Sequence, residues 1–382
     1  MTSTELAMPS KEDVIAALDH VMDPEIKQPI TKLQMVKSVE ISDDGTVTVG
    51  INLTVAGCPL QATIMQDVQA AVGALEGVKH VEVQIGVMTP EEQKALREQL
   101  RGGVAERVIP FAQPGSLTRV YAISSGKGGV GKSSMTVNLA TAMAAQGLNV
   151  GVVDADIYGF SIPQMMGVTT PPQVVDEMII PPVAHGVKVI SIGMFMTENT
   201  PVVWRGPMLH RALEQFFSDV FWGDLDVLLI DLPPGTGDIA ISVAQLIPNA
   251  ELVVITTPQA AAAEVAERAG IMAKQTDQRV VGVIENMSYL AMPDGSKMQL
   301  FGQGGGDTVA AQLGQILGYH IPVLAHVPLE QELREGGDKG APIVLTSEDS
   351  EAAKLIRDAA SKLSQRARGL AGRALGVTPV AK

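Results

Sequence analysis

The chain has 382 residues, of which 46% are hydrophobic, 18% charged and 3% aromatic, a composition for a globular protein of about two to three domains rather than a disordered one. Its formal net charge of −14 excludes a general phosphate-neutralising surface, and with it nonspecific nucleic-acid binding. Cys58 is its single cysteine, which excludes an intrachain disulfide and any zinc site with two cysteine ligands from one chain.

Met1 to Val14 carries Glu5 and no basic segment followed by an apolar run, so no signal peptide is expected. No apolar stretch approaches the ~20 residues that span a bilayer. The expectation is a cytoplasmic protein without a membrane partner. Lys11 to Ile26 places Val14, Ile15, Leu18, Val21 and Met22 at helical spacing. Met35 to Ile41 and Thr46 to Thr54 alternate as strands around the turn signal Asp43-Asp44-Gly45. Pro59 to Leu75 predicts a second helix, with Pro59 in its first turn. Val78 to Val87 alternates as another strand. Residues 1–100 therefore predict a small α/β domain, and the Pro/Gly/Ser content near Phe111–Thr118 marks residues 101–118 as a linker.

From Arg119 the pattern alternates strand and helix. Strands are predicted over Val120–Ser124, Val150–Asp154, Val187–Gly193, Val227–Asp231, Leu252–Thr256, Val280–Glu285 and Ile321–Val327. Helices are predicted over Lys132–Gln146, Pro207–Phe221, Ala260–Gln275 and Asp307–Leu317. Apolar runs such as Val227-Leu228-Leu229-Ile230 fit a mostly parallel sheet flanked by helices. Residues 119–349 are expected to form this α/β domain, and 350–382 a helix with a basic tail.

Gly126-Lys127-Gly128-Gly129-Val130-Gly131-Lys132-Ser133 satisfies G-x-x-x-x-G-K-[ST] between a predicted strand and a predicted helix. Glycines let backbone N–H groups curl around a phosphate chain, and the helix N-terminus adds partial positive charge. Lys132 is placed to reach the β- and γ-phosphates, and Ser133 to ligate Mg²⁺. Asp154 and Asp156 follow an apolar strand, where carboxylates face the ligand crevice of an open α/β sheet; a helix cap is the alternative for Asp156. Asp231 ends another apolar strand, as a Mg²⁺-binding acid requires, and Pro233-Pro234-Gly235 stiffens the turn after it. Asn286 ends a later strand, where its amide suits either a base edge or a turn. Cys58 precedes a predicted helix, which favours thiolate, and is equally read as a small buried residue.

The loop with its extra Lys127 resembles the deviant P-loop of the MinD/ParA/nitrogenase-iron-protein class. Asp154-Ala155-Asp156-Ile157-Tyr158-Gly159, Trp204-Arg205-Gly206-Pro207-Met208, Asp231-Leu-Pro-Pro-Gly-Thr-Gly-Asp238 and Glu285-Asn286-Met287-Ser288 together resemble Mrp/ApbC-type ATPases, bacterial iron–sulfur cluster carriers. The first ninety residues resemble the small domain often fused to that family, with Gly57-Cys58-Pro59 as its motif.

The resemblance implies a P-loop NTPase fold and an ATP-hydrolysing homodimer that passes a [4Fe–4S] cluster to apoprotein clients. It places ATP on Gly126 through Ser134 (including Gly128, Gly129, Val130 and Gly131), with Gly235 sensing the γ-phosphate and Asn286 reading adenine. It assigns catalysis to Lys127, Lys132 and Asp156, and Mg²⁺ to Ser133, Asp154 and Asp231. The family's Cys-x-x-Cys is absent from Tyr289–Ser296, as in an actinobacterial-type branch, which leaves Cys58 as the candidate cluster ligand. The alternative implied is a MinD/ParA-like switch or a regulatory ATPase that holds no cluster.

Overall fold

A computed structural model describes residues 8–54, 60–100, 108–113, 115–157, 159–176, 178–195, 206–235, 237–259 and 262–365. Cys58, Trp204, Arg205 and the basic tail from Arg366 lie outside the described residues. The chain divides into two compact units. The first holds Met1–Val108 together with Thr169–Val183 and Asp219–Gly223; the second holds the rest.

In the first unit, helix α1 (Lys11–Leu18) starts at a capping box between Ser10 and Asp13. Strands β1 (Val36–Ile41) and β2 (Thr46–Leu53) pair antiparallel. Gly45, at φ +91°, makes the turn between them. Helix α2 (Gln61–Gly73) follows and buries Ile64, Val68 and Val72 at helical spacing. It returns the chain to β3 (His80–Val87), which pairs parallel to β2. Helix α3 (Pro90–Leu100) follows.

The division departs from the linear one expected, in which everything after residue 118 belonged elsewhere. A later antiparallel hairpin, Gln173–Val175 with Met178–Ile180, joins this unit. Its Val175, Met178 and Ile180, with Phe221, complete the core around Val14, Leu33, Val49 and Val68. The reason is apolar area: a ninety-residue α/β piece has little of its own to bury.

The second unit is built on seven parallel strands. They are β4 (Arg119–Ser125), β5 (Val150–Asp154), β6 (Val187–Ser191), β7 (Val227–Asp231), β8 (Glu251–Thr256), β9 (Val280–Glu285) and β10 (Val323–His326). Their order is β10-β9-β8-β4-β7-β5-β6. Leu228, Leu229 and Ile230 are wholly buried, as are Val253, Val254 and Ile255, because helices cover both faces.

Helix α4 (Lys132–Ala145) is buried over most of its length. Its Thr141 hydroxyl donates back to the Val137 carbonyl, so its polarity is satisfied inside the core. Helices α5 (Ile162–Met165), α6 (Gly206–Ser218), α7 (Asp238–Leu246), α8 (Ala262–Thr276), α9 (Gly305–Leu317), α10 (Gln331–Lys339), α11 (Ile343–Thr346) and α12 (Glu351–Ser364) complete the unit. The apolar face of α12, with Ala352, Ile356, Ala359 and Leu363, belongs to the same core as α4. Among the described residues no helix is long and apolar enough to cross a membrane.

The first unit also buries charge. Asp23 Oδ1 accepts from the N–H groups of Glu25 (3.0 Å) and Ile26 (2.8 Å). Glu25 Oε2 accepts from Gln173 Nε2 at 2.9 Å. Burial, and then the neighbouring Asp23 charge, push the Glu25 pKa from its ordinary 4.5 up to about 7, against the opposing Gln173 hydrogen bond. Below pH 4.5 folded and unfolded chains both hold the proton; between 4.5 and 7 only the folded chain does. Stability contributed by this group therefore falls as pH rises through that window. Glu25→Gln is expected to flatten the slope: the drop in unfolding midpoint between about pH 5 and pH 8 should shrink by several degrees, read by thermal unfolding at both values.

Candidate functional site: the glycine loop and its acids

The carboxyl ends of β4, β5 and β7 lie side by side, with Asp231 in register with Ile123 on one side and Asp154 on the other. The loop after β4 turns into α4 through Gly129 and Gly131, at φ +77° and +80°. Close approach, as well as φ, demands glycine here. A Cβ at Gly126 would lie 2.7–2.9 Å from Val265, and one at Gly131 would collide with the Asn286 carboxamide. The loop is also tied from outside. Asn286 Nδ2 donates to the Val130 carbonyl at 2.9 Å, Arg268 Nη1 to the Gly126 carbonyl at 3.4 Å, and Ser125 Oγ to the Lys127 carbonyl at 3.0 Å.

Asp231 is the convergence point. Its Oδ2 accepts from Lys132 Nζ and from Ser133 Oγ, each at 2.6 Å, and its Oδ1 from Thr136 Oγ1 at 2.6 Å. Asp231 is wholly buried and Lys132 is 7% exposed. A buried carboxylate is tolerated because a cation and two hydroxyls neutralise and satisfy it. Thr136 was not foreseen from sequence. It lies one helical turn after Lys132, and that spacing is the signal that would have found it.

A cavity of about 210 Å³ opens over the loop, lined by Lys127 through Ser134 with Ser125, Asp156, Ser161, Met165 and Pro234. Loop, Lys132, Ser133, Ser134 and Asp156 thus line one cavity. Asp156 Oδ1 accepts from the Gly159 N–H at 3.2 Å. Lys127 Nζ donates to Gln259 Oε1.

Three other predicted residues are engaged in contacts of their own. Asp154 stands behind the cavity: it is wholly buried, and its oxygens are taken by the N–H groups of Asp156 and Ile162 and by Ser191 Oγ. Burial, and then the Asp231 charge, push its pKa up to about 7. Asn286 is 3% exposed and braces the loop from beneath, its Oδ1 having no hydrogen-bond partner among the described residues. The Gly235 N–H donates to the Ser125 carbonyl at 2.9 Å. Cys58, the candidate cluster ligand, lies outside the described residues. Among the described residues no group of three or more His, Cys, Asp or Glu side chains is arranged to hold a metal ion.

Hard oxygen donors at Ser133 and Asp231, beside glycines whose Cβ atoms would crowd the loop, fit Mg²⁺ and a phosphate chain.

Comparison with known proteins agrees with this geometry. Residues 116–364 match the family described as NUBPL iron-transfer P-loop NTPase, and residues 11–85 the family described as iron-sulfur cluster assembly protein. An iron-sulfur cluster carrier protein of Mycobacterium bovis is 61% identical over 95% of this chain and 95% of its own length. One from Synechocystis is 40% identical over 94% and 98%. Among solved structures, a nucleotide-binding protein in complex with ADP from Archaeoglobus fulgidus is similar at 34% identity and a TM-score of 0.50, covering 60% of this chain and 92% of its own.

Asp231→Ala would leave the Lys132 ammonium buried without a counter-charge, so it is expected to cost about 3–5 kcal/mol of stability, measured by denaturant unfolding. Gly131→Ala is expected to lower nucleotide affinity with little change in the stability of the first unit, read by calorimetric titration beside a two-transition melt.

Proposed function

Because the chain belongs to the iron–sulfur cluster carrier family of P-loop NTPases, we propose that it binds and hydrolyses ATP with Mg²⁺ and carries an iron–sulfur cluster to apoprotein clients as a cytoplasmic homodimer. The observation that carries the reading is the convergence of Lys132, Ser133 and Thr136 on Asp231 at the foot of a glycine loop.

Loop N–H groups and the α4 N-terminus bind the phosphate chain, and Lys132 exchanges Asp231 for phosphate oxygens. Ser133 and Asp231 would hold Mg²⁺, which when bound would supply positive charge against that developing on a transferred phosphoryl. Asp156, which lines the same cavity, orients the attacking water. Lys127 leaves Gln259 and supplies a second cation to phosphates of the partner subunit's nucleotide. Gly235 loses its bond to Ser125 if it turns its N–H to the γ-phosphate, so phosphate release restores that bond and relaxes the loop.

Iron–sulfur cargo is a substrate here, and the chain's single cysteine limits how it is held. Two copies own two thiols, whereas clusters are held by about four. That count also favours a second reading, a regulatory ATPase that keeps the nucleotide site and holds no cluster. Anaerobic reconstitution with iron and sulfide separates the two. Carriage predicts visible charge-transfer absorption that falls in Cys58→Ala, and wild type that stays colourless argues for the regulatory reading.

For the nucleotide site, Lys132→Ala is expected to abolish turnover. Lys127→Ala should retain ATP binding and hydrolyse on the order of 10³-fold more slowly. Equal turnover by wild type and Lys132→Ala would overturn the assignment.

A further inference from the structure

The two ends of the segment between β5 and α5 are tied by one side chain. Asp154 Oδ1 accepts from the Asp156 N–H at 3.2 Å, and Oδ2 from the Ile162 N–H at 3.2 Å. The same Oδ2 accepts from Ser191 Oγ at 3.1 Å. Asp154 and Ser191 are in register at the carboxyl ends of adjacent parallel strands. Ser191 Oγ in turn accepts from the Gly193 N–H at 3.2 Å, and both side chains are wholly buried. The segment they grip carries Asp156 and Ser161, which line the cavity, while neither Asp154 nor Ser191 does.

We propose that Ser191 is a positioning residue, acting through Asp154 to fix where Asp156 stands in the cavity. The inference rests on the ATPase reading for its kinetic consequence. The physics is local. A carboxylate gripping two backbone N–H groups holds a loop only while its own rotamer is held, and the Ser191 hydroxyl is the side-chain donor that holds it. Without that hydroxyl the carboxylate loses a partner in a site that water does not reach, and the backbone it grips shifts. Displacing a group that orients a reactant by about 1 Å is enough for roughly 10²-fold in rate. None of these hydrogen bonds is made to the glycine loop, Lys132 or Ser133, and Asp231, in register with Asp154, keeps its own partners Lys132 and Ser133, so nucleotide affinity is expected to change little.

The test compares wild type, Ser191→Ala, Asp156→Asn and the double variant. Ser191→Ala is expected to lower kcat about 10- to 100-fold with KM for ATP within about two-fold of wild type. It should slow the Asp156→Asn enzyme no further, because the residue it positions is already disabled. Wild-type kcat in Ser191→Ala beside a slow Asp156→Asn would overturn this proposal and leave the ATPase reading standing. An equal penalty in both backgrounds would show a merely structural serine and overturn it as well. Unchanged turnover in Asp156→Asn would remove Asp156 from the chemistry and this inference with it.

Amide hydrogen exchange gives a readout that needs no turnover. Ser191→Ala should speed exchange at Asp156 and Ile162 and leave residues 126–131 as in wild type. Unaltered exchange at Asp156 and Ile162 would sink the proposal even if wild type proved inactive. Should Ser191→Ala not stay folded, Ser191→Cys, whose thiol donates only weakly, is read by the same measurements.

Discussion

The nucleotide end of the larger unit depends on a charge taken out of water. Asp231 ends a strand buried on both faces and has no solvent exposure of its own. Such a carboxylate is costly unless paired, and the pairing determines what its neighbours do. Lys132 is drawn down from the start of α4, Ser133 is turned to the same oxygen, and Thr136 reaches the other from one turn further on. Lys132, Ser133 and Thr136 are thereby gathered on one carboxylate at the foot of the glycine loop, with their positions set by the buried charge they satisfy.

Rigidity of the loop comes from outside it. Val265 of α8 presses on Gly126, and Asn286, just past β9, presses on Gly131 and grips the Val130 carbonyl. Ends of β4, β8 and β9 are adjacent in the sheet, so three consecutive positions in space supply the loop and two of its supports. This is the crevice position of an open α/β sheet, where strand ends converge on a ligand. Asp156, which also lines the cavity, is held in the same way from β5 and β6. Both sides of the cavity thus rest on side chains that never line it.

Much of this was legible in the residues. The P-loop string, the apolar strands ending in Asp154 and Asp231, and the parallel α/β class follow from patterns local in sequence: glycine spacing, runs of branched apolar residues, and a Lys-Ser pair opening a helix. What was not legible is long-range. The hairpin Gln173–Ile180 gives no sign of joining a unit built from the first hundred residues, because its apolar residues suit any core. The short helices α7, α10 and α11 lack the length over which a 3.6-residue period shows. Asp154 and Asp156 are two residues apart and look alike as motif acids, yet one is sealed behind the cavity and the other lines it.

The chain's own order of residues settles which chemistry is on offer: a glycine-lined turn feeding a helix, with acids at strand tips, and one cysteine for the whole chain. Those are properties of neighbours along the backbone, and sterics and periodicity act at that range. Which acid faces the cavity, which asparagine atom grips the loop, and which serine holds the acid sealed from the cavity are decided only when strands distant in sequence come into register. A side chain's role is then set by who shares its burial, and a residue with no solvent to turn to must take the partners that the neighbouring strand presents.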